Sequence, residues 1–199
     1  MARIPLIPRH AATPDVARTY DRLQEAGLEK FLHQAQALGH HPPLLHAVAE
    51  LLLAYYHDSV VEPRYLELAV LAVSARNTCE YCVIHHTPQA IDSGLSLEQV
   101  DAVTAGDWRD RDGLFDATDR LVLAYAEQVT ADANRVDDEL FAALRARFTD
   151  QQVLELTMRI ATCGFFNRFN DALRLEVEPV AEALYRTATE STGAQTSRA

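Results

Sequence analysis

With 199 residues, 48% hydrophobic and 24% charged, the chain has the makeup of one globular domain, or of two small fused halves, that can bury a core without staples. A net charge of −11 and the lack of any basic stripe exclude nucleic acid and anionic membrane as expected partners. No apolar stretch reaches membrane-spanning length, and the opening "MARIPLIPRH" is too short and too broken by proline to read as a signal peptide, so the expected compartment is the cytoplasm.

Only seven glycines occur, and no alternating strand pattern appears, so the expected fold class is all-α. "TPDVARTYDRLQEAG" opens on a Thr13 cap with Pro14 at the first helical position and stops at Gly27. "EKFLHQAQALG" and "PPLLHAVAELLLAYYHD" give two further helices. "EPRYLELAVLAVSARNT" is apolar nearly all round, so it is expected at the centre of the molecule. The helix carrying the first two cysteines follows, with a kink or restart expected at Pro88, which supplies no backbone donor. "SLEQVDAVTAG" opens on Ser96, and "DATDRLVLAYAEQVT" and "VDDELFAALRARF" come next. "TDQQVLELTMRIATCGFFNRFNDALRLEVE" is expected to form two helices broken near Gly164, with Glu155 and Arg159 paired across one turn. A short helix around "VAEALYRTAT" ends the folded part.

At an ungapped offset of 88 the chain aligns with itself. Leu66-Glu67-Leu68 falls on Leu154-Glu155-Leu156, Cys79 on Asn167, Tyr81 on Phe169, Cys82 on Asn170 and His86 on Arg174. This reads as a degenerate duplication of a helical unit: the first copy, about 42–94, carries the thiols, and the second, about 130–182, replaces them with amides. The expected organisation is one helical domain over residues 1–189 and a flexible tail over 190–199.

Two of the three cysteines stand in "NTCEYCVIHH". In a reducing compartment a close pair is metal-binding or catalytic more often than structural. If the segment is helical, Cys79, Cys82 and His86 share one face. A helix N-terminus favours a thiolate, and an imidazole one turn on can take the thiol proton. Glu67 lies in a helix too apolar for the surface, so it needs a partner: an arginine (Arg64 or Arg76), or His86, which it would orient. Zinc is the rival reading, with Cys79, Cys82 and His86 as ligands and His85 or a more distant histidine as the fourth. His85 sits about a hundred degrees round the helix from His86, a supporting or interface position. Cys163 reads as a small core residue.

The spacing Glu67-x11-Cys79-x2-Cys82-x3-His86, with its flanks "RYLELAVLAVSARNTCEYCVIHH", resembles the active-site motif of the alkyl hydroperoxidase D (AhpD-like) proteins of the carboxymuconolactone decarboxylase superfamily, in their peroxidase-related branch. That resemblance implies an AhpD-like helical fold, a homo-oligomer (trimer or hexamer), and thiol-dependent reduction of organic hydroperoxides without cofactor or metal. It also implies that Cys82 is the peroxidatic thiol, Cys79 the resolving thiol, His86 and Glu67 a proton relay, and a dithiol (a lipoyl protein or a thioredoxin-like protein) the reductant. Tyr81 stands where the founding members have a second histidine, and a phenol of pKa near ~10 is a poor base. The alternative is a non-catalytic redox-sensing or metal-binding module using the same side chains.

Overall fold

In the computed structural model the backbone is described for residues 1–196 and the side chains for residues 1–190. Among the described residues there are ten α-helices and no strand. They are α1 (Pro14–Glu25), α2 (Leu32–Leu38), α3 (Pro42–His57), α4 (Pro63–Arg76), α5 (Glu80–Asp92), α6 (Leu97–Ala105), α7 (Ala117–Asp132), α8 (Asp138–Arg145), α9 (Asp150–Leu173) and α10 (Pro179–Thr196). The expected tail at 190–199 falls largely on residues whose side chains lie outside the described set, and α10 itself continues past Glu190.

The caps explain where most helices begin. Thr13 accepts from the Val16 amide with Pro14 behind it, and Ser96 forms a reciprocal capping box with Gln99. Thr149 does the same with Gln152 at the start of α9. Helix α4 is the axis of the molecule: every residue from Leu66 to Ser74 is buried, and α5, α6, α7 and α9 all pack on it. A second apolar cluster joins α1, α2 and α3, and a third gathers Ala37, Cys79, Tyr81, Cys82 and Leu175.

Helix α9 runs unbroken through Gly164, contrary to the expected break. A glycine does not end a helix whose flanks are packed, and here the Gly164 carbonyl also accepts from Arg168 Nη1 at 2.7 Å. Nor does Pro88 restart α5, where Thr87 Oγ1 caps the Val83 carbonyl one turn back. The break that matters is at a non-glycine. After α4, Thr78 takes a left-handed φ of 56°, while its amide bonds to the Ala75 carbonyl and that of Cys79 to the Ser74 carbonyl. This is a Schellman termination closed by a β-branched residue, a conformation held against its own preference. It makes Cys79 the N-cap of a new helix. The stretch that aligns with it at an offset of 88 remains inside α9, so of the two only the thiol-bearing stretch has a helix N-terminus at this point.

Candidate active site

The sulfurs sit where that new helix starts. Cys79 is the N-cap of α5 and fully buried; Cys82 lies in its first turn, is 3% exposed, and lines a cavity of about 470 Å³. Both are free thiols. The Cys82 thiol and amide beside Cys79 lower its pKa against the opposing effects of burial and Asp171. Conversely, the adjacent Cys79 sulfur and burial push the Cys82 thiol up. The pair therefore gives up its first proton as a unit, with the charge resting on Cys79 at the helix N-terminus. Helix α9 faces these thiols directly. Asn170 Nδ2 donates to Cys82 Sγ at 3.3 Å and is itself fixed by Gln34 Nε2 on its oxygen at 3.1 Å. The Asn167 carbonyl lies 3.9 Å from Cys79 Sγ.

Glu67 points from the buried axis of α4 into the same cavity, and its Oε2 lies 2.8 Å from His86 Nδ1. Burial opposes ionisation of this carboxyl, but His86, Arg159 and Lys30 outweigh it and hold the pKa below the usual carboxylate range. Burial in turn pulls His86 below ordinary imidazole, although Glu67 works the other way. An ionised Glu67 accepting from Nδ1–H leaves the lone pair of a neutral His86 on Nε2, as a general base requires. Among the described residues no hydrogen bond joins His86 to Cys82; the two share the cavity, one helical turn apart.

Neither arginine proposed for Glu67 reaches it. Arg64 is paired with Asp119 at 2.7 Å, and it is Arg159 Nη2 that lies 3.8 Å from Glu67 Oε1. The expected Glu155–Arg159 pair does not form. Glu155 instead accepts from Ser59 Oγ and from the Val60 and Val61 amides, capping the loop before α4. His85 and Tyr81 face away from the cavity into a second polar cluster whose centre, Glu178, the sequence did not reveal. Glu178 accepts from the Tyr81 hydroxyl at 2.9 Å, from the His33 amide at 2.7 Å, and from His85 Nε2 at 2.7 Å. His85 Nδ1 meets the Tyr81 carbonyl at 2.6 Å, so each ring nitrogen faces only oxygen acceptors. Burial and Glu178 push the Tyr81 hydroxyl far above an ordinary phenol, which removes it as a base. This cluster clamps α5 to the segment before α10. Glu178→Ala is expected to cost about 3–5 kcal/mol in urea unfolding, because it strands three donors on α2 and α5. Among the described residues no group of three His, Cys, Asp or Glu side chains converges as a metal cage.

The all-helical chain thus places a Cys-x-x-Cys pair at a helix N-terminus, beside a buried glutamate–histidine pair at the wall of a cavity. Residues 42–107 match the carboxymuconolactone decarboxylase family. The uncharacterized protein YnjA of Escherichia coli (strain K12) is 31% identical over 120 residues, which is 60% of this chain and 64% of YnjA, so the match spans less than two thirds of that relative. An uncharacterized peroxidase-related protein with an alkylhydroperoxidase AhpD core, from Ralstonia eutropha JMP134, superposes with a TM-score of 0.77 at 23% identity, over 93% of this chain and 96% of the other. The debrominase Bmp8 superposes with a TM-score of 0.68 at 22% identity, over 92% and 96%. At these identities the two structures establish the fold. It is a fold that includes enzymes.

Proposed function

We propose that the chain is a thiol-dependent peroxidase of the alkylhydroperoxidase type, reducing organic hydroperoxides through its Cys79/Cys82 pair. The observation that carries this reading is the joint exposure to one cavity of Cys82, His86 and Glu67, with Cys79 buried directly behind Cys82. The cavity is walled by Leu28, Phe31, Leu52, Tyr55, Leu66, Val70 and Phe166, which suits an organic body better than hydrogen peroxide alone. His86 takes the proton of the pair, and Cys82 thiolate attacks the distal peroxide oxygen. The O–O bond breaks, the electron pair leaves with the alkoxide, and that alkoxide collects the proton as alcohol. Cys82 is now a sulfenic acid; the Cys79 thiol displaces water from it to form the disulfide, and an external dithiol (lipoyl or thioredoxin-like) restores both thiols by exchange.

The fold also carries a debrominase, so the fold alone does not set the reaction; the thiol pair beside the Glu67–His86 pair is what supports the peroxidase reading. An exposed apolar stripe on α9, formed by Leu154, Met158 and Phe165, supports the homo-oligomer that the resemblance implies. Among the described residues no helix is long and apolar enough to cross a membrane.

The test is a thiol count. One equivalent of cumene hydroperoxide should remove two of the three thiols per chain, and dihydrolipoamide should return them. If no hydroperoxide removes thiols, and protein purified without chelator carries stoichiometric zinc, the peroxidase reading fails and the metal-binding module takes its place.

A further inference from the structure

A thiolate can displace an alkoxide only if something stabilises the negative charge arriving on the leaving oxygen, because an alkoxide is a strong base. The Glu67–His86 pair does not supply that group, since it is committed to holding a proton. Among the described residues two buried polar atoms of the cavity lining have no hydrogen-bond partner: Arg159 Nε, a donor, and Gln89 Oε1, an acceptor. An orphaned buried donor or acceptor is costly, and one that a native structure keeps calls for an explanation, a catalytic role or a bound molecule among them.

Their positions are not accidental. Gln89 follows Cys82 and His86 on α5 by seven and three residues, so the three side chains share the helix face turned to the cavity. Arg159 enters from α9, its guanidinium held between the Glu67 carboxylate at 3.8 Å and the face of Tyr55 at 5.2 Å. Both contacts fix the head group and leave the Nε–H unused. One free donor and one free acceptor are the complement of a hydroperoxyl group, which has one O–H to give and lone pairs to receive.

We propose that Arg159 and Gln89 form the subsite that receives the hydroperoxyl group: Gln89 Oε1 accepts the terminal O–H, and Arg159 Nε donates to the proximal oxygen that leaves as alkoxide. This deepens, and rests on, the peroxidase reading above. When Cys82 sulfur bonds to the distal oxygen and the O–O bond breaks, the electron pair passes to the oxygen already bonded to Arg159, which then takes the proton held by His86. Arg159 thus becomes a catalytic residue and no longer simply a counter-ion of Glu67.

The experiment measures the rate of Cys82 modification in one turnover, in the Cys79→Ser background where the sulfenic acid persists: by dimedone trapping with cumene hydroperoxide and with a peroxycarboxylic acid, and by mass gain with iodoacetamide. In Arg159→Met the cumene hydroperoxide rate should fall about 100-fold, the loss typical of one transition-state donor. The peracid, whose leaving carboxylate needs little help, should lose far less, and alkylation by iodoacetamide, which breaks no O–O bond, should be unchanged. Gln89→Leu should weaken hydroperoxide oxidation in the same pattern and serves as the second variant where Arg159→Met does not fold. Equal slowing with all three reagents, or no slowing with cumene hydroperoxide, overturns the subsite. A wild-type chain alkylated by iodoacetamide but oxidised by no hydroperoxide overturns the peroxidase reading and the subsite with it.

Discussion

Cys82→Ser is expected to abolish hydroperoxide turnover entirely, whereas Cys79→Ser should keep one oxidation per chain and lose every later one. The two thiols differ in access more than in chemistry. Cys79 is the more acidic partner, at the helix N-cap with the Cys82 thiol and amide beside it, yet it is fully buried and does not line the cavity. Cys82 holds its proton more tightly but faces the space where a peroxide can sit. Moving the shared proton from Cys82 to Cys79 is a short step between adjacent sulfurs, and the Asn170 amide at 3.3 Å is placed to receive the charge that appears on Cys82. Access then decides which sulfur is attacked. In Cys79→Ser a sulfenic acid should accumulate on Cys82 and be trapped by dimedone, with a mass gain of one oxygen before trapping. In Cys82→Ser neither that adduct nor loss of the Cys79 thiol should occur. Rapid oxidation of Cys79 in Cys82→Ser would reverse the assignment and make acidity the deciding factor.

What the sequence disclosed about this site, and what it hid, divides by distance along the chain. The four residues Glu67, Cys79, Cys82 and His86 lie within twenty positions, and helical spacing alone brings Cys82 and His86 to one face. The helical fold was legible for the same reason: caps such as Thr13-Pro14 and Ser96 are local signals, and the unbroken apolarity of α4 marks it as central. The groups that complete the site come from α9 and from the turn before α10. Asn170 is eighty-eight residues from Cys82, and Glu178 ninety-seven from Tyr81, so no periodicity links them. Arg159 was misassigned because a glutamate four residues before an arginine is the strongest local cue for a helix ion pair, and tertiary contacts overrode it: the loop at Ser59–Val61 claims Glu155, leaving Arg159 to Glu67. The break at Thr78 was hidden by a related bias. Glycine is the usual left-handed terminator, so attention falls on Gly164, whereas the chain spends its unfavourable φ at a threonine next to the thiols. Only the internal offset of 88 hinted at these partners, since Asn167 and Asn170, the counterparts of the cysteines, are the residues that contact them.

Glu67→Gln is expected to lower the oxidation rate about 100-fold or more, within the range a positioned general base contributes, and to leave the fold standing at neutral pH. Glutamine can accept from His86 Nδ1–H as the carboxylate does at 2.8 Å, but its amide can equally donate to that nitrogen, so the tautomer with a free lone pair on Nε2 is no longer enforced. The lost charge also removes the main influence holding the His86 pKa up against burial, so the acid limb of the pH–rate profile should shift to lower pH even as the plateau falls. A variant that failed through misfolding alone would show a lower plateau and an unmoved limb. The wild-type shifts give the stability of the native state a definite sign. His86 is depressed in the fold, so on acidification the unfolded chain takes up its proton first, and stability declines as pH drops below about 6.5, the value for free imidazole. Glu67 is also depressed; its contribution is complete above the ordinary carboxylate pKa and is lost as pH falls through its own lower value. Both groups therefore favour the native state on the alkaline side. Urea midpoints should fall as pH drops from neutral through the acid range in the wild type, and the part of that fall lying below the ordinary carboxylate pKa should be smaller in Glu67→Gln. A midpoint that rose on acidification would mean that His86 is held as a cation, and it could not then be the base that deprotonates the thiol pair.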